Sequence, residues 1–152
     1  MAEHHGIGFI GLGSIGQRML AQAWSHPRVQ PTVAWDLAAE RLAQTVANSV
    51  GLRAAADVNS LINDDAVDVV YIASPPLTHA AHANAALEFG KPVFCEKPLL
   101  WEQNLSPKTL EAKLNLLSKH RKRCLFINTS NAYFLENVLE KTGKPSSVES
   151  FS

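Results

Sequence analysis

Apolar residues in this chain alternate between short dense runs and longer stretches in which they recur every three or four positions. Residues 7–11 form a continuous apolar run closed by glycine, the mark of a strand buried on both faces. Over residues 14–24 the period changes, and Ile15, Met19, Leu20, Ala23 and Trp24 share one helical face. Pro27 and Pro31 interrupt the chain, residues 32–35 predict a second strand ending at Asp36, and 38–48 predict a helix stopped by Gly51. A short third strand is expected at 52–54, and Asp57 caps a helix running to Ile62. Residues 67–73 are the clearest strand, ended by Ser74-Pro75-Pro76 because proline cannot donate to a ladder. A helix follows at 78–89 with Gly90 at its end, then a strand at 92–95. Residues 107–120 predict a helix with Leu110, Leu114 and Leu117 on one face, and 124–127 a strand. A short helix at 133–141 and an extended segment at 147–152 complete the pattern. Strands alternating with helices predict an α/β fold, a parallel sheet with helices on both faces.

Composition narrows the function classes. With 152 residues the chain has the length of one domain, and 46% hydrophobic residues exclude disorder. The 14 Lys and Arg balance the 14 Asp and Glu, so no net field favours nucleic acid or an anionic membrane. Charged residues make up only 18%, which leaves room for an apolar surface that expects a partner. No run approaches the ~18 apolar residues of a membrane span, and the N-terminus lacks the parts of a secretory signal, so a cytoplasmic location is expected. Cys95 and Cys124 are too few for a disulfide framework or a zinc site, and both read as buried thiols. No metal site is expected, since His82 lacks acid or thiol partners. His4, His5 and His26 read as solvated, and His120-Arg121-Lys122-Arg123 as a complement to a helix C-terminus.

The first strand runs into Gly11-Leu12-Gly13-Ser14-Ile15-Gly16, which opens a helix. In that setting the three glycines serve different ends. Gly11 makes the turn, Gly13 lets a pyrophosphate approach the backbone, and Gly16 lets helix and strand pack closely. Ser14 and Ile15 bring the first free N–H groups of the helix, and its positive end, toward the phosphates. Asp36, twenty residues past Gly16 at the end of the second strand, is placed to accept both ribose hydroxyls and to repel a 2′-phosphate. NAD is therefore the expected cofactor, with NADP left open by Arg41. Helix capping is the competing role for Asp36.

Ser74, Pro75, Pro76 and His79 follow the fourth strand, and Glu96-Lys97-Pro98 follows the fifth. In an open parallel sheet, ligands bind outside the carboxyl ends of the strands, so both segments fall at the rim that carries the glycine turn. Lys97, restrained by Pro98, is placed to donate to a substrate hydroxyl or carbonyl oxygen, with Glu96 expected to hold it.

On Gly11–Gly16, Asp36, the run 69–76 with His79, and Gly90-Lys-Pro-Val-Phe-Cys-Glu-Lys-Pro98, the chain resembles the cofactor domain of the glucose–fructose oxidoreductase and inositol dehydrogenase family. The resemblance implies a Rossmann doubly wound sheet and hydride transfer between a nicotinamide and a carbinol carbon of a sugar, cyclitol or similar substrate. It implies that Lys97 is the active-site lysine and that Ser74, Pro75 and Pro76 flank the nicotinamide with His79 close by. Lys97 and His79 are thus the candidate catalytic residues. Gly11, Gly13, Ser14, Ile15, Gly16, Asp36, Ser74, Pro75, Pro76, Glu96 and Lys97 are the candidate cofactor contacts. Two features depart from the family: the connection at 100–106 is longer, and Asn128-Thr129-Ser130-Asn131 stands where the family often has Arg-Phe-x-Pro.

The family continues into a second α/β domain that supplies most of the substrate pocket and the oligomer interface. Residues 1–146 are accordingly expected to form the Rossmann domain and 147–152 the start of a truncated second one. The isolated chain is then expected to be inactive, and any homo-oligomer to form through the second domain. The competing expectation is a non-catalytic NAD(H)-binding module or regulator that kept this fold.

Overall fold

The computed structural model describes residues 4–104, 106–120 and 124–128. Six strands form one parallel sheet: β1 (His5–Ile10), β2 (Val29–Trp35), β3 (Arg53–Ala54), β4 (Val69–Ile72), β5 (Val93–Glu96) and β6 (Leu125–Asn128). Their order across the sheet is β3-β2-β1-β4-β5-β6, the Rossmann order, with β1 and β4 adjacent where the winding reverses. Five helices connect them: α1 (Ser14–Trp24), α2 (Ala39–Ala47), α3 (Val58–Ile62), α4 (Pro76–Glu88) and α5 (Pro107–Ser118).

The alternation of side chains along the strands splits the core into two layers. Phe9, Ala34 and Tyr71 face α1 and α2, where Leu20, Ala23 and Leu52 complete one cluster. Ile10, Val33, Val70, Ile72, Val93 and Cys95 face the other way, against Leu61 and Ile62 of α3, Ala83, Ala86 and Leu87 of α4, and Leu117 of α5. The small residues of α4 let that helix lie close to the sheet. Burial pushes the Cys95 thiol up to about 12, so it behaves as a small apolar residue. Cys124, expected to be buried, is exposed just before the edge strand β6.

Two boundaries shift for physical reasons. The second strand begins at Val29 and runs through Pro31, and the register slips where Ile7 pairs with Pro31 and Gly8 with Val33. Thr32 is the extra residue of that bulge, which accommodates a proline beside β1 in a stretch that β3, paired only with Val33 and Ala34, does not reach. Helix α4 begins at Pro76, since proline is suited to a first helical position where no N–H is needed. Of the apolar face predicted for α5 only Leu117 is buried, and Leu110 and Leu114 are exposed. The helix predicted at 133–141 and the extended segment at 147–152 lie outside the described residues, as do 121–123 of the basic run.

Register brings the strand ends into line. Ile10 pairs with Trp35 and with Ile72, Ile72 with Cys95, and Glu96 with Asn128. Gly11, Asp36, Ser74 and Lys97 therefore leave the sheet along one rim.

Candidate cofactor and active site

The glycine turn shows three different requirements at its three glycines. Gly11 has φ +93°, and a Cβ there would sit 2.5 Å from the Ser74 nitrogen, so both conformation and space demand glycine. A Cβ on Gly16 would lie 2.2 Å from the Gly11 carbonyl oxygen, so it lets α1 close on the turn. Gly13 has φ −65°, and a Cβ there meets nothing within 4 Å. Neither backbone nor packing requires glycine at 13. The remaining reason is room for something that is not protein, at the N-terminus of α1 where no side chain caps the free N–H groups. A pyrophosphate fits that description.

Asp36 is buried at the end of β2 and firmly held. One carboxylate oxygen accepts the Leu12 N–H at 2.7 Å and the other the Ala38 N–H at 2.8 Å. Arg41 Nη1 donates to both at 3.2 Å. Asp36 does not cap α2, whose N-cap is Ala38 with no side-chain cap bond, and its bond to the Ala38 N–H is a local turn contact; the Leu12 bond ties the acid to the glycine turn 24 residues earlier. A carboxylate has about four acceptor sites. Two backbone N–H groups take one on each oxygen, and the two left face a half-exposed guanidinium.

These residues surround one cavity of about 650 Å³. Gly11, Gly13, Ser14 and Ile15 form one wall, Asp36 and Arg41 a second, and Ser74, Pro75, Thr78 and His82 a third. That volume lies in the ordinary range for small-molecule and cofactor sites. Gly16, Pro76, Glu96 and Lys97 are not on its wall. His82 is a wall residue that sequence reasoning missed. Its ring nitrogen lies 3.2 Å from Ser74 Oγ and its ring meets Trp35 edge-on at 6.2 Å. Burial, and then the neighbouring His79, hold it below the ordinary histidine range.

The lysine side of the rim differs from expectation in its partners. Lys97 is exposed, with no side-chain hydrogen bond or ion pair among the described residues, and it precedes a cis Lys97–Pro98 peptide. Glu96 does not hold it. Glu96 Oε1 accepts the Tyr71 hydroxyl and the Asn128 amide at 2.8 Å, which turns the acid back over the α1 face of the sheet. Burial and that carboxylate keep the Tyr71 proton in place well above the usual phenol range. His79, expected at the nicotinamide, is 1% exposed, and both its ring nitrogens lie against backbone carbonyls. Among the described residues no group of three or more His, Cys, Asp and Glu is placed to hold a metal, and no helix is long and apolar enough to cross a membrane.

The sequence pattern of an oxidoreductase family with an NAD-binding Rossmann fold matches residues 5–128. Inositol 2-dehydrogenase 3 of Saccharopolyspora erythraea is 38% identical over 110 residues, covering 70% of this chain and 32% of the relative. Inositol 2-dehydrogenase of Acidothermus cellulolyticus is 43% identical over 94 residues, covering 61% and 28%. The chain thus spans about a third of the length of these curated relatives. Among solved structures, apo scyllo-inositol dehydrogenase from Lactobacillus casei superposes with a TM-score of 0.78 at 22% identity, over 95% of this chain and 43% of that one. Biliverdin reductase from Synechocystis, in complex with biliverdin and NADP+, gives 0.75 at 26%, over 94% and 44%.

Proposed function

The chain belongs to the oxidoreductase family with an NAD-binding Rossmann fold, and from that premise we propose that it is the cofactor part of a dehydrogenase acting on a cyclitol, sugar or similar small polyol. The observation that carries this reading is the gathering of the open approach at Gly13, the oriented carboxylate of Asp36 and the exposed Lys97 at one rim. The resemblance in sequence to inositol 2-dehydrogenases supports the substrate class.

Gly13, Ser14 and Ile15 would receive the pyrophosphate, Asp36 the adenosine ribose, and Ser74 to Pro76 the nicotinamide. NAD, when bound, supplies the hydride acceptor. Lys97 takes the substrate hydroxyl proton during oxidation and returns it during reduction, and Pro98 limits where its backbone can go. Asp36 makes NAD the preferred cofactor. A second domain, following the 1–146 unit and beginning near 147, would close the substrate pocket and carry any homo-oligomer contact. The 152-residue chain alone then binds NADH without turning over a polyol.

Replacing Lys97 by Ala in the protein carrying that second domain tests the assignment. NADH affinity by fluorescence titration should stay within about threefold, while kcat should fall at least ~100-fold, the lower bound for a lost proton-transfer group. Unchanged turnover removes Lys97 from the reaction.

A further inference from the structure

Thr78 and His82 stand one turn apart on α4, and both line the cavity that holds Asp36. With Ser74 they form a row of hydrogen bonds whose direction is fixed at one end. Thr78 Oγ1 lies 2.8 Å from the Pro75 carbonyl oxygen, which only accepts, so the Thr78 proton goes there. Ser74 Oγ and Thr78 Oγ1 are 2.8 Å apart, and with the Thr78 proton used it is Ser74 that donates. Ser74 Oγ then has only lone pairs to offer His82 Nδ1, 3.2 Å away, so Nδ1 carries the ring proton. Burial and the neighbouring His79 keep the ring from taking a second proton at neutral pH. Nε2 is therefore a bare acceptor. Among the described residues nothing hydrogen-bonds to it, and no unpartnered side-chain nitrogen or oxygen is sealed from solvent, so it opens onto the cavity that His82 lines.

We propose that His82 selects the base of the dinucleotide: its Nε2 accepts a hydrogen bond from the 6-amino group of adenine. The proposal rests on the reading of the cavity as a cofactor site given above and adds what that site demands of the base. His82 stands at the adenosine end. Its ring meets Trp35 edge-on at 6.2 Å, and Trp35 is the last residue of β2, next to the ribose acid Asp36. Lys97 leaves β5, on the far side of β1 and β4. A base carried by a ribose at Asp36 lies among Leu37, Ala38, Arg41, Thr78 and His82. Leu37 and Ala38 give it apolar contact and Arg41 only donors, so His82 presents the acceptor that an exocyclic amine requires. The bond to Ser74 and the contact with Trp35 hold the ring in that orientation. A 6-oxo purine would instead set a carbonyl oxygen against the Nε2 lone pair. A site built to bond one polar group discriminates strongly against an analogue that lacks it.

Fluorescence titration of the 152-residue chain with NADH and with its 6-oxo analogue, reduced nicotinamide hypoxanthine dinucleotide, tests the choice of base. NADH should bind about tenfold more tightly or better, the scale of one hydrogen bond exchanged for an unpaired acceptor. His82→Phe keeps a ring against Trp35 and removes the acceptor. It should bring the two affinities within about threefold, chiefly by weakening NADH. Equal affinities in the native chain, or a preference that survives His82→Phe, overturn the proposal. Long-range 15N–1H correlation on the 15N-histidine-labelled native chain needs no variant. At pH 7 His82 should show a protonated Nδ1 and a bare Nε2, and NADH but not the analogue should shift the Nε2 resonance upfield. A proton on Nε2 in the chain alone overturns the proposal. If neither dinucleotide binds, the cofactor reading of the cavity fails and takes the proposal with it, whereas binding without preference defeats the role of His82 alone.

Discussion

Asp36 gathers a backbone N–H from the glycine turn, one from the start of α2, and the Arg41 guanidinium. Its distance from Gly16 and its place after a strand made it visible in the sequence, because strand length and the turn fix where the second strand ends. Its bond to Leu12 was not visible, since the contact exists only once β1 and β2 are paired. Asp36→Asn keeps an acceptor for Leu12 but loses the charge. NADH should bind on the order of ten- to a hundredfold more weakly, the scale of one charged hydrogen bond, and NADPH should lose less. Titration with both cofactors reads the difference. Glu96 shows where reading from sequence stops: adjacency suggested Lys97, whereas its partners are Tyr71 and Asn128 on the flanking strands. His82 carries a pH effect. Its folded-state pKa is depressed, so the unfolded chain binds its proton more readily. That stability is present above the ordinary value of 6.5 and is lost as pH falls from there toward the depressed one. Between pH 7 and pH 5 the Tm of His82→Gln should therefore drop less than that of the parent, and equal drops would remove His82 as the cause.

At the scale of elements, α1 and the turn before it separate two uses of glycine. Gly16→Ala forces a Cβ against the Gly11 carbonyl and should cost about 1–3 kcal/mol in urea unfolding, as overpacking does. Gly13→Asn places a good N-cap residue in open space, so stability should hold or rise slightly while NADH binding falls at least tenfold. Equal loss of stability in both variants would mean that the turn is one packed unit with no room reserved for a ligand. The order of elements was legible because runs and periods alternate cleanly. Their starts were less so at Pro31 and Pro76. A proline reads locally as a break, yet a bulge admits the first and a helix N-terminus the second. The stripe of α5 misled for a different reason. Helical spacing identifies an apolar face but not what lies opposite it, and of its three leucines only Leu117 reaches the sheet layer through α4.

On the whole molecule, the rim and the low charge density describe a unit that gains stability from what it binds. NADH at a hundred times its dissociation constant should add about 2.7 kcal/mol to the folded state. For a domain of this size that corresponds to a rise in Tm of roughly 5–10 °C. Differential scanning fluorimetry reads it, and Asp36→Asn at the same NADH concentration should lose most of the rise. The fold class and the rim could be read from the chain because both follow from topology. Composition left room for an apolar surface without fixing where it lies: Tyr71 and Phe94, their rings 5.7 Å apart, line an apolar trough beside α1, and Phe126 and Ile127 are exposed on β6. The open space at Gly13 has a consequence for how such a protein drifts. A change there leaves abundance in the cell untouched, so quality control that clears misfolded chains never sees it. Only demand for the ligand that fills the space can keep that glycine, and a lineage released from that demand should lose Gly13 long before Gly16.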